Sequence, residues 1–198
     1  MVASMVRLLG RSRVNAAPPP AAEVTDEALM QRLAGGERSA FEALFVRYRE
    51  PVWRFFRRRV SDPSRAEELA QDTFVGVLSG ASRYQGRSAF RSYLFGVAFN
   101  VLMGWRRRTR SFETLDAESA AASPDVDAGI WVRTALARLE PEDREILMLR
   151  EYEQLSYQEL SEVLTLPVNT VKSRLFRARA AMRVVLTEHP AEVPHDDR

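Results

Sequence analysis

The chain has no cysteine, only two histidines and a single lysine. Without cysteine there can be no disulfide and no thiolate metal site, and His189 and His195 both stand in a polar C-terminal stretch, which leaves nothing for imidazole catalysis. A glycine-rich phosphate loop is also missing, as is any apolar run long enough to cross a membrane. The opening residues MVASMVRLLGRSRVNAAPPPAA carry Arg7, Arg11 and Arg13 among very short apolar runs and close on prolines, so they read as a disordered tail and not as a secretion signal. The acids, 27 in all, are enough for a carboxylate-only active site, but their positions suit solvated helix faces. These absences lead us to expect a cytoplasmic protein that is not an enzyme, holds no cofactor or metal and does not insert into a membrane.

What is abundant is arginine. Of 29 basic residues every one but Lys172 is arginine, and they cluster at 54–59, 106–110 and 174–183. The formal charge is only +2, so the nucleic-acid signal lies in local patches. A length of 198 residues, 45% hydrophobic and 28% charged, fits one or two ordinary small domains.

From Leu139 to Met182 the spacing is that of a helix-turn-helix. Ser156-Tyr157-Gln158-Glu159 is a capping box and starts a helix whose buried side is Leu155, Leu160, Val163 and Leu164. Thr165-Leu166-Pro167 interrupts it, because proline disfavours helical geometry in the residue before it. The next helix, from Val168, puts Val171, Leu175, Ala178 and Met182 on one stripe. Asn169, Thr170, Ser173 and Arg177 fall opposite, suited to base edges in a major groove, with Lys172, Arg174 and Arg179 placed for phosphates. A surface hairpin with a solvated arginine face would show the same local pattern.

From Glu23 to Arg110 helical periodicity is almost continuous. Phe41, Leu44, Phe45, Tyr48, Val52, Phe55 and Phe56 recur at helical spacing, with Pro51 expected to bend or break that helix. A second helix starts at Ser61-Asp62-Pro63 and buries Ala66, Leu69, Ala70, Thr73 and Val77, leaving Glu67, Glu68, Gln71 and Asp72 on an acidic face. A Gly/Ser-rich loop, 79–87, leads into a helix over 88–108 whose core stripe is Phe90, Leu94, Val97, Ala98, Val101 and Trp105. Ser92, Phe99, Asn100, Met103 and Arg107 lie off that stripe, where aromatic groups beside arginines suit single-stranded DNA, unless Phe99 and Met103 simply pack on a neighbouring helix. Residues 111–129 hold Glu113, Asp116, Glu118, Asp125 and Asp127 with no basic residue, a flexible acidic tether. The expected architecture is all-α: a tail at 1–22, a helical domain at 23–110, the linker at 111–129, a helix-turn-helix domain at 130–186 and a tail at 187–198.

AFEALFVRYREPVWRFFRRRV, AEELAQDTFVGVL and SAFRSYLFGVAFNVLMGWRRR, followed by LSYQELSEVLTLPVNTVKSRLFRARAAMR, resemble in order the helices of the extracytoplasmic-function (ECF) group of bacterial sigma-70-type sigma factors. The resemblance implies that Glu68, Gln71 and Asp72 bind core RNA polymerase. It implies that Ser82, Arg83, Tyr84, Gln85, Arg87, Phe99, Asn100, Met103 and Arg107 recognise and help open the minus-ten promoter element. Asn169, Thr170, Lys172, Ser173, Arg174, Arg177 and Arg179 would read the minus-thirty-five element as duplex. The linker would thread toward the RNA exit path, and an anti-sigma factor is an implied partner. Three positions depart from the pattern: Gly96 where a larger residue is usual, and Gln154 and Asn169 where glycine is common. A helix-turn-helix repressor would account for the residues after Glu140 alone, and a polymerase-binding adaptor for the first half alone.

Overall fold

The computed structural model describes residues 24–86, 88–112, 132 and 135–188. Both tails, Arg87 and most of the acidic tether lie outside them. Among the described residues the fold is helical throughout: α1 (Asp26–Ala34), α2 (Arg38–Arg57), α3 (Pro63–Gly80), a 3-10 turn (Ala81–Arg83), α4 (Phe90–Phe112), α5 (Pro141–Glu151), α6 (Tyr157–Leu164) and α7 (Val168–Glu188).

Thr25 caps α1 by accepting from the Ala28 amide, and Asp26 and Glu27 place negative charge on the first turn, where the helix dipole favours it. The same two acids tie α1 down: Asp26 accepts from Arg47 and Tyr48 of α2, and Glu27 from the Phe90 amide at 3.0 Å. Of the two outcomes expected at Pro51, a bend or a break, the break does not occur: α2 runs through the proline. Val52, Phe55 and Phe56, just beyond Pro51, are fully buried, and burying three such side chains outweighs a proline cost of about 3 kcal/mol. In α3 Asp62 supplies the cap, and Pro63 at the first position and the buried set Ala66, Leu69, Ala70, Thr73 and Val77 are as expected.

The loop expected from Ser79 starts later, since Ser79 and Gly80 complete α3 and the 3-10 turn follows. Glycine at 80 makes room for α4: a Cβ there would lie 2.3 Å from the Tyr93 hydroxyl and would force that side chain to shift. Helix α4 runs on through Ser111 and Phe112, so the linker begins later than its composition suggested. Its core is also wider than one stripe. Phe95 and Leu102 are fully buried, Val97, Val101 and Trp105 only partly, and Ser92, expected on the outer side, is 2% exposed. The reason is that α4 is covered twice, by α3 on one side and by α6 on another.

In the C-terminal half α6 has its full capping box, and Val171, Leu175 and Ala178 of α7 are buried with Met182 at their edge. The turn between them is made by Thr165 at φ 54° as well as by Pro167. Gln154, before α6, sits at φ 53°, which explains why glycine suits that position. Gln154→Gly is expected to stabilise this half by about 0.5–1 kcal/mol, relief of left-handed strain minus added unfolded-state entropy. Thermal denaturation reads it, and an unchanged or lower midpoint would mean that Gln154 bears no strain. Asn169 lies in the first turn of α7 and needs no such freedom.

Candidate nucleic-acid and protein interfaces

Three surfaces carry the residues singled out by sequence. On α3, Glu68 and Asp72 are exposed and one turn apart, with Gln71 half-buried between them, and Glu68 pairs with Arg65. Gln71 and Glu67 line a groove against α2, closed below by Phe45 and Phe74 and flanked by Arg49, Glu50 and Trp53. Sequence reading missed the apolar groups at this site. Val46 and Trp53 on α2 and Val75 and Leu78 on α3 are exposed, and Val75 continues the Glu68–Asp72 row at the next turn. Their signal was legible, for all four fall off the buried stripes of their helices.

On the second surface, Ser82 and Arg83 stand exposed in the 3-10 turn with Gln85 beyond, while Arg87 lies outside the described residues. Tyr84 is fixed: its hydroxyl donates to the Ser88 carbonyl at 2.7 Å and its ring meets Tyr93 at 5.2 Å. Asn100 and Arg107 are exposed on α4. Phe99 and Met103, by contrast, are half-buried and packed on the hydrophobic core, so only part of each is available for base stacking.

The third surface is α7. Asn169, Ser173 and Arg177 share one exposed side, with Thr170 beside them and Lys172 and Arg179 on the flank. Ser173 donates to the Thr170 carbonyl at 3.0 Å. Three arginines are engaged by acids of α5, Arg174 with Glu142 at 2.6 Å, Arg177 with Asp143 at 3.8 Å and Arg179 with Glu151 at 2.8 Å. Such partly exposed pairs are worth little and yield readily to a polyanion. Phe176, not singled out by sequence, is 72% exposed between Asn169 and Lys172 around the helix, an unusual setting for phenylalanine.

Residues 44–112 match the family described as Sigma-70 region 2, and residues 130–182 match Sigma-70, region 4. The ECF RNA polymerase sigma-E factor of Haemophilus influenzae is 33% identical over 178 residues, covering 80% of this chain and 94% of that protein. The chain belongs to the ECF group of sigma-70 factors. RNA polymerase sigma-H factor of Pseudomonas aeruginosa is 30% identical over 178 residues, covering 79% of this chain and 91% of its own. Among solved structures, CnrH in complex with the cytosolic domain of CnrY superposes with a TM-score of 0.65 at 25% identity, covering 82% of this chain and 97% of that one. As an ECF sigma factor the protein directs promoter-specific transcription initiation, and no helix among the described residues is long and apolar enough to cross a membrane.

In this sigma factor the two halves are joined by an ionic seam that sequence did not reveal. Arg59, just beyond the end of α2, donates to Glu145 of α5 at 2.8 Å and lies 3.5 Å from Glu153, which Arg58 approaches at 3.2 Å. Arg106 of α4 reaches Glu145 from the other side at 2.8 Å. Arg59 also stacks on Phe55, 3.8 Å from the ring centre, and donates to the Phe55 carbonyl. Burial opposes ionisation of Glu145, yet Arg59 and Arg106 outweigh it and hold that carboxyl below its usual range. At Glu153 burial prevails over the more distant Arg59 and Arg58 and pushes the carboxyl up.

Proposed function

We propose that the three surfaces divide the work of initiation. Glu68, Gln71 and Asp72, with the apolar fringe of Trp53, Val75 and Leu78, dock on core RNA polymerase. Ser82 to Arg87, Asn100, Arg107 and the exposed parts of Phe99 and Met103 take up the minus-ten element as it opens. Asn169, Thr170, Ser173 and Arg177 read the minus-thirty-five duplex while Lys172, Arg174 and Arg179 hold phosphates, and Phe176 adds an apolar contact suited to a thymine methyl. The domains divide at 23–110 and 130–186, the acidic linker threads toward the RNA exit path, and the protein works in the cytoplasm. An anti-sigma factor restrains it, a reading supported by the solved complex of CnrH with CnrY.

The observation that carries this reading is one chain holding both an acidic, apolar-rimmed protein surface and an arginine-lined helix-turn-helix. Its test is reconstitution: the purified chain added to core polymerase should give transcripts from a defined subset of a promoter library, and sequence-blind or absent transcription would refute it.

On α7, Arg177→Ala should cost roughly 1–3 kcal/mol and relax preference at one or two positions, whereas Lys172→Ala should weaken all sites alike and reduce the salt slope by about one. Binding to a library of minus-thirty-five duplexes separates the two, and equal sequence-blind losses would make α7 a phosphate clamp. Replacing Asn100 by Ala should impair initiation from duplex promoters without loss of polymerase binding. Rescue on a template with a preformed minus-ten bubble assigns melting, a base-dependent defect that persists there assigns base reading, and normal transcription from both would make Asn100 scaffold.

A further inference from the structure

We infer that Glu27 of α1 is a positioning residue for minus-ten recognition: its carboxylate ties α1 to the first residue of α4 and so presets the shape of the loop at 82–86 before DNA arrives. The inference rests on the reading above that this loop takes up the minus-ten element.

The loop is held at three points. At its start the 3-10 turn packs on α1, with Ala81 buried in the core to which Leu29, Met30 and Leu33 contribute. In its middle the Tyr84 ring lies on Tyr93, and the Tyr84 hydroxyl donates to the Ser88 carbonyl at 2.7 Å, which closes 84–88 into a ring. Gly86 stands in that ring at φ 65°, a conformation that suits glycine, and a Cβ on it would lie 3.8 Å from Gln31 Nε2 of α1. At its end the Phe90 amide donates to Glu27 Oε1 at 3.0 Å, across 63 residues of chain. Helix α1 therefore flanks the loop from beginning to end. Ala81 and Tyr84 turn inward, whereas Ser82, Arg83 and Gln85 are left exposed on the backbone that the inward set fixes.

The two acids in the first turn of α1 have different tasks. Asp26 takes Arg47 and Tyr48 and fastens α1 to α2. Glu27, half-buried, pairs with no arginine among the described residues and gives its charge to one backbone amide, in a chain whose basic side chains are nearly all arginine. A first-turn amide has no acceptor within its own helix, and a charged acceptor makes a stronger bond than a neutral one. Docking of α1 does not depend on this bond, since Leu29, Met30 and Leu33 are buried and Asp26 already holds α2. What it fixes is where α4 begins, and with it the far anchor of the loop. Burial first and the Glu27 charge next raise the Tyr84 hydroxyl above its usual range, so that group stays a donor to Ser88. A loop already in its binding shape loses less entropy when it captures unpaired bases, and it discriminates among them because it does not adapt.

The test uses holoenzyme assembled from core polymerase and the full-length chain. The probes are a fluorescent non-template oligonucleotide from a promoter that the reconstituted enzyme transcribes, and the same strand substituted one base at a time across the minus-ten element. Glu27→Ala should lower affinity for the native strand about three- to tenfold and narrow the gap between native and substituted strands, with polymerase binding unchanged. Glu27→Gln keeps a side-chain oxygen for the Phe90 amide and should recover part of the loss. Tyr84→Phe removes only the hydroxyl that closes the ring. It should give a loss of the same kind, and joined to Glu27→Ala it should cost less than the product of the two, because both act on one loop geometry. Wild-type affinity and base preference in Glu27→Ala would overturn the inference. So would a loss equal for every strand, which marks a merely structural residue, or a Glu27→Gln variant no better than alanine. The underlying reading is checked apart by Ser82→Ala with Gln85→Ala. If that pair blunts base preference and Glu27→Ala does not, the positioning role alone fails; if neither changes it, the loop is not the reader and both readings fall.

Discussion

Reversing two charges on α3, Glu68→Arg together with Asp72→Arg, is expected to weaken binding to core RNA polymerase at least about a hundredfold while leaving the helices intact. Both carboxylates are exposed and neither contributes to the buried row Leu69, Ala70, Thr73 and Val77, so the fold loses only a surface pair between Glu68 and Arg65. The cost falls on the partner. Opposite charge steers and registers a docking surface, and like charge placed against it costs several kcal/mol. The apolar fringe of Trp53, Val75 and Leu78 cannot compensate, because it can be buried only when the acidic row beside it is accommodated. Co-purification with core polymerase checks this, with circular dichroism as the control. Wild-type recovery of the double variant would remove α3 from the interface.

Arg59→Ala is expected to open the molecule and not to unfold it. Deleting one partner of a buried ion pair ordinarily costs about 3–5 kcal/mol, because the other charge is left stranded. Here two carboxylates, Glu145 and Glu153, would be stranded at once. They lie on the C-terminal half, while Arg59 lies on the N-terminal half, so the chain can avoid the cost by separating its halves and hydrating both acids. Arg106 and Arg58 still approach the acids from the N-terminal half, but they are partly exposed and cannot replace the buried guanidinium. Solution scattering should give a larger radius of gyration with unchanged helical content. Arg59→Met, which keeps a long side chain over Phe55, should behave the same way if charge is what matters. An unchanged radius in both variants would place the hold elsewhere in the interface.

The two reading surfaces differ in how far the chain alone foretold them. On α7 every assigned residue is where helical periodicity put it, since one buried stripe against α5 and α6 leaves a single outer face. On α4 the same reasoning failed at Ser92, Phe95 and Leu102, because a helix covered from two directions has no single stripe and a 100° projection cannot separate one neighbour from another. Pro51 left α2 unbroken for a different reason: a local rule worth about 3 kcal/mol met three buried side chains in the next turn.

Residue pattern by itself determined that the chain is helical, with a helix start at 61–63, the capping box at Ser156, its helix-turn-helix and its acidic row on α3, because those features depend on neighbours within one or two turns. Tertiary structure alone decided that Arg59, in the arginine-rich stretch 54–59 that runs past the end of α2, is buried against acids 86 and 94 positions away, and that Gly96 and Ser92 face α6. Contacts between halves of a chain leave no periodic trace in either half, so an arginine destined for a buried seam looks the same as one destined for solvent.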